Sequence, residues 1–233
     1  FSLLSERSAG MTGADIATIA NQAKINAIQR SSVDAVLSDK DIQDAIDEVM
    51  IGREKRERMM TVDERKRVAH HEAGHALMGF ILCDSSPPVK VSIIPRGEAA
   101  LGFSQPKPEN KKLHTQSAIL AMICVLLGGR GGEKLIYGCV STGAADDIEK
   151  ISNLIHQYIC SWGMNETIGP INPDVVDIFS ECSSNEIFEQ SRLIIAELER
   201  FTMRLLRKHK KHIVAIAKKL LKDCATKYQF VKL

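Results

Sequence analysis

The 233-residue sequence has few aromatic side chains, 5% of the total. That share does not furnish the rows of stacking rings that hold single-stranded nucleic acid. A strong charge of either sign is also missing. The net charge is +2, which argues against a dedicated nucleic-acid binder. No long apolar run occurs. The longest, Ala118 to Leu127, falls far short of the roughly 20 residues that a membrane-spanning helix needs. The chain opens on Phe1 and mixed polar residues, without the basic segment and apolar block of a signal peptide. Six cysteines stand at 83, 124, 139, 160, 182 and 224, none in a CxxC pair. That spacing excludes a zinc finger and a dithiol redox motif, and the six are read mostly as small buried hydrophobes. The GxxxxGK-Ser/Thr pattern of a phosphate-binding loop is absent as well.

What remains is an ordinary globular composition. With 44% hydrophobic and 26% charged residues, a sizeable core is expected and disorder is not. The length suggests one large domain or two small ones. Thr12 and Asp15 have capping-box spacing, and Ile16, Ile19, Ala20, Ala23 and Ala27 follow at helical intervals. A turn over Ser31 to Ser38 leads to a second helix from Asp39, with Ile42, Ala45, Ile46 and Val49 on one face. Residues 1–52 are therefore expected to form a small helical unit, and the charged stretch 53–60 a linker. Residues 61–233 are left as the main domain.

That domain opens with a second capping box, Thr61 and Glu64. The helix it starts should run from Val62 to Cys83 and stop at Asp84-Ser85-Ser86-Pro87-Pro88. Val89, Val91 and Ile93 alternate with Lys90 and Ser92, the signature of a short strand. A second strand is expected over Ala99 to Ser104, then a polar loop over Gln105 to Lys112. Thr115 to Leu127 reads as a buried helix, which Gly128-Gly129-Arg130-Gly131-Gly132 should break or kink. A helix near Ala145 carries Ile148, Ile151, Ile155, Ile159 and Trp162 on one face. One long helix is expected from Asn185 toward Asp223, through Leu198, Phe201, Leu205, Ile213, Ile216 and Leu220. Its segment Arg204 to Lys222 holds eight Lys and Arg and no acid. This reads as a solvated face rather than a patch for nucleic acid or anionic lipid, and His209 beside it reads as packing. The fold class is mainly α, with a small hairpin or sheet.

One motif carries chemistry. His71-Glu72-Ala73-Gly74-His75 is an HExxH sequence. On a helix, residues four apart share a face, so His71 and His75 can grip one zinc ion. Glu72 then takes the proton of a water that the metal acidifies, and returns it to the leaving amine of a cleaved peptide. His70 points about 100° away and is read as non-ligating. A catalytic zinc wants a third protein ligand. Residue 81 is Ile, so the HExxHxxGxxH extension is absent. Spacing alone leaves Glu133, Asp146, Asp147, Glu149 and His156 as candidates.

Six blocks in order resemble one family, the FtsH-type, membrane-anchored AAA ATP-dependent zinc metalloproteases. They are Gly13-Ala14-Asp15-Ile16, Val68 to Ala76 around the motif, Ala100-Leu101-Gly102-Phe103, Leu126 to Arg130, Ser141 to Ile148, and Trp162-Gly163-Met164. The resemblance implies Asp147 as the third zinc ligand, since it falls where the family's TGASND ends. Asp146 falls on the family's Asn and adds a second negative charge. Glu133 matches the first Glu of GGRAAEE and implies a residue that orients a ligand. Leu101, Gly102 and Phe103 fall on the strand that pairs with extended substrate. Gly13 and Ala14 match lid residues near the adenine, though helix entry is their simpler role here. Residues 1–52 then correspond to the end of an ATPase lid and 61–233 to the peptidase.

By the same resemblance, the ATPase core and the membrane anchor lie upstream, so ATP belongs to the full-length protein. Family members form homomeric or mixed hexamers and degrade unfolded or misassembled proteins. They reside in bacterial plasma membranes and in the membranes of mitochondria and chloroplasts. Glycines at 131 and 132 replace the family's alanines, at a helix cost of about 1 kcal/mol each. Two other readings stand beside the protease: a non-proteolytic assembly or chaperone subunit of such a hexamer, and a free-standing peptidase.

Overall fold

Local signals fix where the first helices begin. A computed structural model of the chain describes residues 11–31, 36–52, 60–82, 88–94, 102–106, 113–172 and 181–225. At residues 51, 89, 103, 105, 106, 181–184 and 223–225 it describes the backbone alone. Helix α1 spans Gly13–Arg30, and Thr12 and Asp15 close the expected capping box around its first turn. Helix α2 spans Asp39–Ile51, with a second box from Ser38 and Asp41. In each box the N-cap hydroxyl satisfies an orphan N–H of the first turn while the acid bonds back to the cap. Ile19, Ala23, Ala45 and Ile46 bury the contact between the two helices. Arg30 grips Asp41 at 2.9 Å and holds that buried carboxyl down at about 2.

The chain divides into two compact units. One gathers residues 1–59 with 94–102 and 108–110, and α1 and α2 belong to it. The other gathers 60–93, 103–107 and 111–233. Within this second unit, α3 is Val62–Ile81, capped by Thr61 and Glu64 as expected. Strands β1 (Pro88–Ser92) and β2 (Phe103–Pro106) pair antiparallel, Val91 opposite Ser104 and Ser92 opposite Phe103. Both strands lie against α3. Helix α4 is Gln116–Tyr137. A 3₁₀ turn, Thr142–Ala144, leads into α5, Ala145–His156, which ends in a π turn over Gln157–Ser161. Helices α6 (Glu181–Lys208) and α7 (Lys210–Ala225) complete the unit. The fold is mainly α with one two-stranded hairpin among the described residues. None of the described helices is long and apolar enough to cross a membrane.

Two cores flank α3 and α4. Ala69, Ala73, Ala76 and Met78 of α3 pack on Leu206, Ile213, Ala217 and Leu220 of α6 and α7. Ile119, Ile123 and Leu127 of α4 pack on Ile151, Ile155 and Ile159. Burying such side chains contributes about 1.5–3 kcal/mol each.

Five expectations are corrected. First, α4 runs unbroken through all its glycines. They let α3 approach closely: a Cβ at Gly128 would stand 2.8 Å from the Gly74 carbonyl oxygen, and one at Gly132 2.6 Å from that of His70. Helix–helix contact offsets the intrinsic cost of glycine. Second, the last long helix is two. It breaks at His209, whose carbonyl accepts from His212 N at 2.9 Å in a tight turn. Third, Ile148 and Trp162 are exposed, while Ile151, Ile155 and Ile159 are buried. Fourth, Gln105 and Pro106 belong to β2 rather than to a loop. Fifth, Gly102 precedes β2, although the second strand is expected from Ala99; of the cysteines, Cys124 and Cys160 are buried and Cys139 is exposed. The helix expected to reach Cys83 has its last described turn at Ile81. Residues 53–59 of the expected linker, Cys83 and Leu101 lie outside the described residues, as do the side chains of Phe103, Cys182 and Cys224.

Candidate metal centre

His71, Glu72 and His75 are buried on α3. Asp147 sits in the first turn of α5, where the positive end of a helix favours an acid. The 3₁₀ turn ahead of it, with Ser141 Oγ accepting from Gly143 N at 3.3 Å, sets the entry of α5. These elements bring three atoms together. His71 Nε2 and His75 Nε2 are 3.0 Å apart. Asp147 Oδ2 lies 3.1 Å from the first and 3.2 Å from the second.

The far nitrogens decide the tautomers. His71 Nδ1 lies 2.9 Å from Glu133 Oε1, and His75 Nδ1 2.8 Å from the carbonyl oxygen of Val125. A carbonyl only accepts, so His75 Nδ1 carries the proton and donates. Glu133, lowered below the usual carboxylate range, stays ionised and likewise accepts a hydrogen bond from His71 Nδ1; burial would raise it, but His71, Ser141 and Arg67 outweigh that. With Nδ1 engaged on each ring, the two Nε2 atoms are the ones turned toward each other and toward a carboxylate. Asp147 Oδ2 is buried without a hydrogen-bond partner. Three acceptors at contact distance need a cation between them.

The donor set suits zinc. Two imidazoles and a carboxylate are zinc ligands, with bonds of about 2.0–2.2 Å. A tetrahedron with such bonds has edges of about 3.3–3.6 Å, a little longer than the sides of the observed triangle. His71, His75 and Asp147 form the one group of this kind among the described residues. Without a metal, a proton fills the place. Burial pulls the His71 imidazole down, yet Asp147 and Glu133 lift it to about 10. Burial would raise Asp147, and its contacts with the His71 and His75 rings hold it well below the usual range.

Glu72 is 5% exposed, and its Oε2 has no partner. Burial pushes its carboxyl up, against the pull of His75 and His71. Its Oε2 is left open beside the cluster. Glu133, 1% exposed, binds His71 through one oxygen and Arg67 Nη1, at 3.2 Å, through the other.

The other candidates are not in the cluster. Asp146 is exposed and pairs with Lys150 at 2.6 Å. Glu149 and His156 are exposed. His70 Nδ1 faces the Lys66 carbonyl at 2.8 Å and the Tyr137 hydroxyl at 3.0 Å. Gly13 and Ala14 open α1 and are exposed. Phe103 opens β2 opposite Ser92, and Gly102 precedes it. Sequence reasoning missed Arg67 and the Val125 carbonyl. Arg67 had a signal, since it lies one turn before His71 on the line through His75. A backbone carbonyl from another helix has none.

Residues 58–232 match the model of peptidase family M41. Among curated relatives, the chain is 35% identical over 229 residues to the ATP-dependent zinc metalloprotease FtsH of Rhodothermus marinus, covering 94% of this chain and 33% of that protein. It is 36% identical over 233 residues to the mouse mitochondrial inner membrane m-AAA protease component AFG3L2, covering 96% and 29%. It is 37% identical over 217 residues to the mitochondrial FTSH 10 of Arabidopsis thaliana, an ATP-dependent zinc metalloprotease, covering 91% and 26%. The chain thus spans about a third or less of the length of these relatives.

Proposed function

This chain belongs to peptidase family M41, and we propose that it is a metalloendopeptidase whose zinc is held by His71, His75 and Asp147 and whose general base is Glu72. The observation that carries this reading is the triangle of two imidazole nitrogens and a carboxylate oxygen at 3.0–3.2 Å. A zinc ion held there supplies Lewis-acid polarisation of a peptide carbonyl and makes a water acidic near neutral pH. With zinc bound, Glu72 would serve as the proton acceptor and then as the proton donor to the leaving amine. Burial lifts the Glu72 carboxyl, which makes it a stronger base and a ready acid for the second transfer. Glu133 and the Val125 carbonyl keep the two rings in the tautomer that leaves Nε2 free. An extended substrate can add to the Gly102–Phe103 strand through main-chain hydrogen bonds, which suits low sequence specificity.

The names of the relatives extend the proposal. Residues 1–52 are the end of an AAA lid, 53–60 a linker and 61–233 the peptidase. The protein is part of a membrane-associated, ATP-dependent protease of organelle or bacterial type. It assembles as a hexamer and degrades unfolded or misassembled polypeptides. Gly13 and Ala14 meet nucleotide only in that larger assembly.

The test is zinc per chain by elemental analysis. The native chain should hold about one zinc, Asp147→Ala much less, and Asp146→Ala the native amount. Full occupancy in Asp147→Ala would remove Asp147 from the ligand set. A native chain that takes no zinc even when refolded with it would overturn the peptidase reading and favour a non-proteolytic assembly subunit.

A second prediction concerns protons. His71 in the metal-free chain titrates at about 10, so it is charged at pH 8, and metal binding needs it neutral. Zinc binding at pH 8 should release about one proton, read by calorimetry in buffers of different ionisation enthalpy. The sign for stability follows. The metal-free fold gains from His71 fully below pH 6.5 and loses that gain as pH rises through about 10. Equal binding heats in all buffers would contradict this.

A further inference from the structure

Glu133 raises a question of geometry, given the zinc centre proposed above. A carboxylate has two oxygens and turns about its last bond. One contact to His71 leaves it free to swing. The structure holds the second oxygen with Arg67, Nη1 to Oε2 at 3.2 Å. Arg67 is itself braced on three sides. Its guanidinium stacks 4.5 Å over the Tyr137 ring, Nη1 reaches the Cys139 carbonyl at 3.5 Å, and Nη2 lies 3.5 Å from Cys139 Sγ. Arg67 stands one turn before His71, on the same face of α3.

We infer that Arg67 is a positioning residue of the metal centre: it clamps Glu133 Oε2 so that Oε1 stays on His71 Nδ1 and His71 Nε2 stays aimed at the metal. A planar guanidinium suits this task, because it stacks on the ring and donates in a fixed fork at once. Removing it leaves a carboxylate that is 1% exposed with only His71 and Ser141 to hold it. Such a buried charge turns toward any other donor or water. The His71 ring then loses its fixed direction, as happens when the outer partners of metal-binding histidines are removed.

The experiment measures zinc affinity of the 233-residue chain by chelator competition, and the visible absorption of the Co(II)-loaded chain. The variants are Arg67→Met, Arg67→Gln and Arg67→Lys, alone and with Glu133→Gln. Both neutral variants should weaken zinc about 10- to 100-fold and shift the Co(II) bands. Arg67→Lys keeps a charge without the fork and should recover part of the affinity, with a smaller shift. In the Glu133→Gln background, Arg67→Met should have little further effect. Cys139→Ser, which touches Arg67 but not Glu133, should stay within about threefold of the native affinity. Should one variant fail to fold, the remaining ones are read in the same way. Native affinity and native Co(II) bands in every folded variant would overturn the proposal. So would an Arg67→Met effect that persists at full size in Glu133→Gln. Retention of zinc by His75→Ala would instead sink the metal reading on which the proposal rests.

Discussion

Glu72→Gln is expected to lower cleavage of an unstructured peptide by about 10²–10⁴-fold and to leave zinc at its native occupancy. The two outcomes separate because Glu72 is not among the three converging atoms. Its carboxyl is buried, with Oε2 unpartnered, so no fold contact hangs on that oxygen. Gln keeps the volume and loses the proton acceptor. A small rise in stability is consistent with this, since burial disfavours the ionised form. Loss of zinc in Glu72→Gln would place Glu72 among the ligands. Unchanged cleavage would remove it from the chemistry altogether.

Much of this site was legible in the sequence because its signals are local. HExxH writes two of the proposed ligands and the proposed base within five residues, and helical geometry does the rest. Thr61 and Glu64 fix the start of α3 in the same way, within one turn. The third ligand is a different case. Asp146 and Asp147 are adjacent acids, and spacing cannot choose between them. The choice came from resemblance, and the structure sends Asp146 to Lys150 and Asp147 to the histidines.

What escaped the sequence depends on contacts between helices. Propensity counts Gly131 and Gly132 as breaks, because it cannot see what another element places against them. A Cβ at Gly131 would stand 2.5 Å from Leu206 Cδ1 of α6. The break at His209 left no trace either. Leu206 and Ile213 are seven residues apart and both fully buried, a spacing that a continuous helix also keeps in phase. Cys139 looked like a core residue by type, yet it lies beyond the C-cap of α4 at Gly138, where the chain has left the core.

The glycine run also yields the second large effect, Gly129→Ala. By propensity alone this change should stabilise α4 by about 1 kcal/mol. The site forbids it. A Cβ at Gly129 would stand 2.6 Å from His71 Nε2 and 2.7 Å from His71 Cε1, and closer still to His75 Nε2. Real Cβ atoms do not approach so near, so something must move. The rings cannot turn away cheaply, because Glu133 and Val125 hold their Nδ1 atoms. Nor can α4 back off cheaply, because Gly128 and Gly132 seat it against the backbone of α3. Overpacking of this kind costs about 1–3 kcal/mol, which outweighs the helix gain. The variant should therefore fold with a lower Tm and bind zinc at least about 100-fold more weakly. A thermal melt and a zinc titration on the same sample check both parts. If Gly129→Ala melted higher and kept its zinc, the close seat of α4 beneath the two histidines would be wrong, and with it the account of why this helix carries glycine there.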